Sequence, residues 1–155
     1  MAILDSGERR EFNTGAVRDI TEGKGRCDLL PLDIAFKVCD DFILHLINDY
    51  KHNGYEEDIV RVIQIFSTEK YGSTYSALLE LSKHFEEGAK KYGENNWQKG
   101  IPLHCYIDSG IRHYLKYMRG DTDEPHDRAF LWNMYCLLWT HRHKPEMIDL
   151  PFKKE

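Results

Sequence analysis

Residues 84–125, HFEEGAKKYGENNWQKGIPLHCYIDSGIRHYLKYMRGDTDEP, run directly into 126–143, HDRAFLWNMYCLLWTHRH, and together they decide the fold. From Tyr75 onward, Leu78, Leu81, Phe85, Ala89 and Tyr92 recur at helical spacing and stack on one face. Glu80, His84, Glu87 and Lys91 form a second stripe, with Glu86 near the boundary. Gly93 closes this segment, and ENNWQKGIP makes a polar turn around Trp97. A second helix is predicted from Leu103 to Arg119, with Ile107, Ile111, Leu115 and Met118 as its apolar stripe and Asp108 and Arg112 on another face beside His113. Gly120 ends it. A third helix is predicted over 124–141, with Asp123 as N-cap and Pro125 in the first turn, where its missing N–H does no harm. His126, Ala129, Asn133, Cys136 and Thr140 make a narrow small or polar stripe on it. A helical hairpin needs only leucine, alanine and any polar surface. The surplus of Glu, Asp, His, Arg and Asn on three successive amphipathic segments is therefore a chemical signal.

Outside this block, Ile34, Val38, Phe42, Ile43, Leu46 and Ile47 predict one helix from Leu32 to about Tyr50, ended by His52, Asn53 and Gly54. A further helix is predicted from Glu56 to about Phe66. Residues 1–31 carry glycines, no helical period and a stop at Pro31, which predicts an irregular arm laid over the domain. Almost no stretch alternates with period two, so no sheet is expected. The whole predicts an all-α bundle in a single domain over 1–155: an arm (1–31), a helical insertion (32–74) and a chemically rich helical block (75–145).

A chain of 155 residues is the size of one domain and can bury a core without staples. Its formal net charge of −5 excludes a general nucleic-acid coat, which needs a basic excess, but leaves room for a small nucleotide held by a few local cations. The four cysteines, Cys27, Cys39, Cys105 and Cys136, form no CxxC pair and read as reduced thiols. With no apolar leader and no membrane-length stretch, a soluble cytoplasmic protein is expected.

Carboxylates from antiparallel helices can hold a divalent cation of the Mg²⁺ type, which takes oxygen ligands, waters and substrate phosphates. Glu86 or Glu87 with Asp108, Asp123 or Glu124 offers such a set. Zinc is less expected, because the histidines at 84, 104, 113, 126, 141 and 143 make no HExxH pair. No GxSxG, Walker A or GxGxxG pattern is present. The GKGR at 23–26 is too short for a P-loop, yet its amides with Arg18, Lys24 and Arg26 can contact phosphate. Trp97 reads either as a plug of the bundle or as a platform for a base.

The segments NTGAVRD, EGKGRCDLLP, FEEGAKKYGENNW, KGIP, DSGIRHYL and GDTDEPHDRAFLWN resemble the phage and prophage family called the dATP/dGTP diphosphohydrolase N-terminal domain, related to MazG-like all-α nucleoside triphosphate pyrophosphohydrolases. The resemblance implies a bundle shared between subunits, hence a homo-oligomer, with Mg²⁺ or Mn²⁺ as cofactor. It also implies cleavage of a deoxynucleoside triphosphate to monophosphate and pyrophosphate. Glu86 and Glu87 match the family's paired glutamates, while Lys90 stands at the third and Asn133 where a metal-binding aspartate is expected. On this reading Glu86, Glu87 and Asp108 are catalytic and, with Asp123 and Glu124, hold metal. Lys24, Arg26, Lys90, Lys91, Arg112 and His113 meet the phosphates; Asn95, Asn96, Trp97, His126 and Asn133 complete the nucleotide site. The alternative, favoured by Lys90 and Asn133, is a non-catalytic protein that sequesters a host nucleotide.

Overall fold

The computed structural model describes residues 6–152; residues 1–5 of the predicted arm lie outside this range. Six helices follow a short hairpin: α1 Leu32–Cys39, α2 Phe42–Asn53, α3 Glu56–Tyr71, α4 Thr74–Tyr92, α5 Leu103–Arg119 and α6 His126–His143. The all-α expectation holds, with two corrections. The arm is not wholly irregular, since β1 (Arg9–Glu11) pairs antiparallel with β2 (Val17–Asp19), Arg10 opposite Arg18. Strands of three residues are too short for period-two alternation to register in sequence.

The second correction is that the single helix expected from 32 to 50 is two. Asp40 adopts a left-handed conformation (φ 49°), and Asp41 is extended and accepts a hydrogen bond from the Leu44 N–H at 2.9 Å. An aspartate capping the next helix competes locally with continued helix, and that competition outweighs the unbroken apolar period. The same Asp41 carboxylate accepts from the Tyr114 hydroxyl at 2.5 Å, fastening the start of α2 to α5. At the other end of α2, Gly54 takes φ 73°. A Cβ there would stand 2.7 Å from the Phe152 ring, so both conformation and space demand glycine.

α5 and α6 form the centre. Ile107, Ile111 and Tyr106 from α5 and Phe130, Leu131, Met134 and Leu137 from α6 are fully or almost fully buried, joined by Ile47 and Tyr50 from α2 and Ile59, Val62 and Phe66 from α3. Phe66 meets the Phe130 ring edge to face at 4.9 Å. Close approach of α5 to α6 rests on Gly110, where an added Cβ would meet Met134 Cε at 2.6 Å and Asn133 Cβ at 3.4 Å. Pro125 proves to be the N-cap residue of α6, and Asp123 is not its cap; the Asp123 carboxylate turns to a histidine side chain instead. The cysteines are all free, with Cys105 and Cys136 buried, Cys27 half-buried and Cys39 exposed. Among the described residues no helix is long and apolar enough to cross a membrane.

The glycine contact gives a test. Methionine can swing its terminal methyl aside, but a branched side chain at position 110 also meets the Asn133 Cβ. Gly110→Val should destabilise the protein by about 1–3 kcal/mol through overpacking, whereas substitution at the open position Gly88 should not. Chemical denaturation of both variants checks it.

Candidate active site

The arm, α4, α5 and α6 enclose a cleft of about 530 Å³. Its wall carries five cationic side chains, Arg18, Lys24, Lys91, Arg112 and Lys116, against two carboxylates, Asp19 and Glu124. In an acidic chain this concentration of positive charge is local, the electrostatic signature of an anion site.

Two arginines are set into the wall. Arg18, from β2, donates to Ser109 Oγ at 2.8 Å and Asn133 Oδ1 at 3.4 Å, and its guanidinium lies 5.5 Å from the Tyr106 ring and 5.7 Å from Trp132. Arg112 is held by both oxygens of Asp108 at 2.7 Å and donates to the Gly25 carbonyl at 2.6 Å. Each keeps one buried nitrogen without a hydrogen-bond partner, Nη1 of Arg18 and Nε of Arg112. An unmatched buried donor on a cation is costly unless a water, an ion or a ligand oxygen completes it. The arm itself is fastened by Asn96, whose side chain accepts from the Val17 N–H at 2.8 Å and donates to the Val17 carbonyl at 2.7 Å. Asn133 is likewise engaged twice, donating to the Ala129 carbonyl at 2.8 Å while accepting from Arg18.

At one side of the cleft, His113, Glu124 and His126 bring ligand atoms within 4.8 Å of one another. His126 Nε2 lies 2.7 Å from Asp123 Oδ1, and hydrogen bonding to His126 lowers the Asp123 pKa. A carboxylate can only accept, so His126 Nε2 donates to it, and the Nδ1 atoms of His113 and His126 share one hydrogen bond at 2.9 Å. A carboxylate behind a histidine is also the arrangement found behind metal-ligating imidazoles, and a cation here would take the place of the proton shared between the two Nδ1 atoms. Burial, then the neighbouring His126, pushes the His113 pKa well below its ordinary value, keeping that imidazole neutral and able to coordinate. The donor set therefore fits a divalent cation with nitrogen and oxygen ligands. A second group, Asp121, Asp123 and His126, shares His126, but Asp121 is engaged by Arg119.

Of the residues singled out in the sequence, Lys24, Lys91, Asn96, Arg112, His113, Glu124 and Asn133 line the cleft, and His126 stands in the metal-capable group at its side. Asp123 is in that region as the partner of His126. The others lie elsewhere. Glu86 and Lys90 are exposed. Glu87 faces Arg128 at 3.3 Å. Asp108 is engaged by Arg112 and by the Cys27 N–H at 2.7 Å and does not line the cleft. Among the described residues Glu86, Glu87 and Asp108 are not drawn into one ligand group. Arg26 is exposed and paired with Asp28. Trp97 packs edge to face on Trp139 at 4.9 Å and on Phe85 at 5.7 Å, and with Asn95 it borders a smaller neighbouring cavity.

The sequence reading missed His84, Tyr92, Ser109, Lys116 and Trp132 as cleft residues. Lys116 lies one turn beyond Arg112 on α5, so helical spacing was the available signal. His84 is buried, and desolvation followed by the Arg128 charge lowers its pKa to about 4.

Two expectations follow from these environments. Breaking the buried pair with Asp108→Asn should cost about 3 kcal/mol, since it leaves the Arg112 charge buried with a weaker partner, while Glu86→Gln leaves stability unchanged; urea unfolding of both variants decides. For His84, the folded pKa lies below that of the unfolded chain, so its contribution is present above about pH 6.5 and lost as pH falls toward about 4. Stability should decline over that window, and His84→Leu should flatten the decline in denaturation profiles taken at successive pH values.

The family described as dATP/dGTP diphosphohydrolase, N-terminal, matches this chain over residues 60–150, from within α3 through α6. No curated protein and no solved structure matches it. The matched span supplies α4, α5 and α6, which carry His84, Arg112, His113 and His126, and the connection between α5 and α6, which carries Glu124; the chain belongs to the dATP/dGTP diphosphohydrolase N-terminal family.

Proposed function

We propose that this protein is a metal-dependent deoxynucleoside triphosphate pyrophosphohydrolase that releases monophosphate and pyrophosphate. The observation that carries the reading is the pair of buried, unmatched guanidinium nitrogens on Arg18 and Arg112 in a cationic cleft beside a neutral His113, Glu124 and His126. Phosphate oxygens match guanidinium donors in charge and geometry. In this reading Arg18 and Arg112 orient the triphosphate, and Lys24, Lys91 and Lys116 offset the charge that develops as the bond between two phosphates breaks. His113, Glu124 and His126 would hold the cation, with Asp123 fixing the orientation of His126. A divalent cation supplies Lewis-acid polarisation of phosphoryl oxygen and a more acidic bound water. The side chains present shift the favoured metal. Imidazole donors suit Mn²⁺ and later transition ions better than Mg²⁺, whose preference is for oxygen.

The sequestering alternative draws on a separate observation, that Glu86, Glu87 and Asp108 form no all-carboxylate centre. Self-association is part of the proposal, supported by exposed apolar side chains such as Val38, 80 % exposed, and Leu79, 73 % exposed. Light scattering giving a strictly monomeric mass would remove that part.

The enzymatic reading is tested by incubating the protein with dATP or dGTP and titrating Mn²⁺ or Mg²⁺, with chromatography for monophosphate and pyrophosphate. Half-maximal turnover is expected at lower Mn²⁺ than Mg²⁺. His126→Ala should abolish turnover while keeping nucleotide binding, and Arg18→Ala should weaken binding by at least tenfold, about 1.4 kcal/mol. Tight retention of intact nucleotide with every metal would favour sequestration.

A further inference from the structure

Away from the cleft, the first turn of α5 brings a cysteine, a histidine and a carboxylate into line. His104 Nδ1 hydrogen-bonds the Asp149 carboxylate, which also accepts from the His104 N–H at 2.9 Å. The other ring nitrogen, Nε2, stands 3.6 Å from Cys105 Sγ. None of the three residues lines the cationic cleft. The His104 and Asp149 side chains are 28 % and 39 % exposed, so the couple meets solvent beside a sulfur that is itself buried. The hydrogen bond to Asp149, then the one to Cys105, raises the His104 pKa to about 10, so the ring is protonated at neutral pH and donates through both nitrogens. Arg26 and Asp28 are near enough to act electrostatically on Cys105 and His104, and Lys51 donates to the Asp28 carbonyl at 2.7 Å. Cys105 is also the third residue of a 17-residue helix, where the positive end of the backbone dipole favours negative charge. Among the described residues, Cys105 alone of the four cysteines hydrogen-bonds a histidine.

We propose that Cys105 is a modification site, a nucleophilic thiol that peroxides oxidise to sulfenic acid, with His104 as its proton partner and Asp149 as the positioning residue. A nucleophile within reach of a base that a third group orients is the arrangement that activates a thiol. An imidazolium beside sulfur favours the thiolate, which is the form that attacks. The thiolate attacks one peroxide oxygen: an S–O bond forms and the O–O bond breaks, its electron pair leaving on the second oxygen. His104 Nε2 gives that oxygen its proton. Sulfur is oxidised by two electrons, and the peroxide is reduced to water or an alcohol. Fastening the C-terminal tail to α5 requires only the two bonds to Asp149, and does not account for a sulfur at the opposite ring nitrogen.

The test exposes the whole protein to hydrogen peroxide with dimedone, which traps sulfenic acid, and reads labelling at each cysteine by peptide mass spectrometry. An ordinary thiol is only a few per cent thiolate at about pH 7, so the ion pair leaves room for a gain of about tenfold. Cys105 should label about tenfold faster than Cys39, although Cys39 is the exposed one. Between about pH 6 and 8 its rate should also change less than that of Cys39. Asp149→Asn keeps an oxygen for the His104 N–H but loses the charge that holds the imidazolium. It should slow Cys105 by about tenfold and restore the pH dependence of an ordinary thiol, with an unchanged circular dichroism spectrum. His104→Gln should slow Cys105 at least as much. Labelling of wild-type Cys105 no faster than that of Cys39 overturns the proposal, because a merely buried thiol reacts more slowly than an exposed one. That comparison uses no variant, so it decides the matter even should both variants fail to fold. An unchanged rate and pH profile in folded Asp149→Asn overturns the positioning role of Asp149.

Discussion

The buried ion pair between Asp108 and Arg112 is the constraint on which the rest of the site depends. Both residues sit on α5, one turn apart, with side chains only 6 % and 8 % exposed. Their remaining hydrogen-bonding capacity reaches across to the arm, Asp108 to the Cys27 N–H and Arg112 to the Gly25 carbonyl. A buried pair of this kind contributes little net stability by itself, because the attraction is offset by lost hydration. Its structural effect is positional. It clamps the 25–27 segment onto α5, and with the Asn96 bridge to Val17 it gives the cleft its fourth wall.

The same clamp explains why Asp108 holds an arginine in place while histidines gather at the metal-capable position. Asp108 is turned to Arg112 and the Cys27 N–H and does not line the cleft. His113 and His126 come together because α5 and α6 approach closely at Gly110 and the short 121–125 connection folds Asp123 back on His126. Charge then separates along the molecule: cations and the histidine group on one side of Trp132, aromatic rings on the other.

The helical content and the three chemical segments were legible because apolar spacing at 3.6 residues reports a buried face without knowledge of what covers it. The hairpin was not, since strands of three residues carry too little pattern. The break at Asp40 and Asp41 was written over by a continuous apolar period, although the two aspartates were its local signal. Lys24, Arg112, His113 and Asn133, singled out in the sequence, line the cleft. Glu86 and Lys90 were matched by motif position to a place that the helix surface then turned toward solvent.

By itself the sequence determined an all-α chain, the family, and the kinds of side chain available for phosphate and metal, because these depend on composition and local period. Tertiary structure alone decided which of them meet. His113 and His126 are thirteen residues apart on different helices, and Arg18 reaches Asn133 from the far end of the chain, at 3.4 Å. The roll of each helix about its axis and the path of the arm set these encounters. Both follow from how buried side chains interlock across elements, which spacing along a single strand of sequence does not encode.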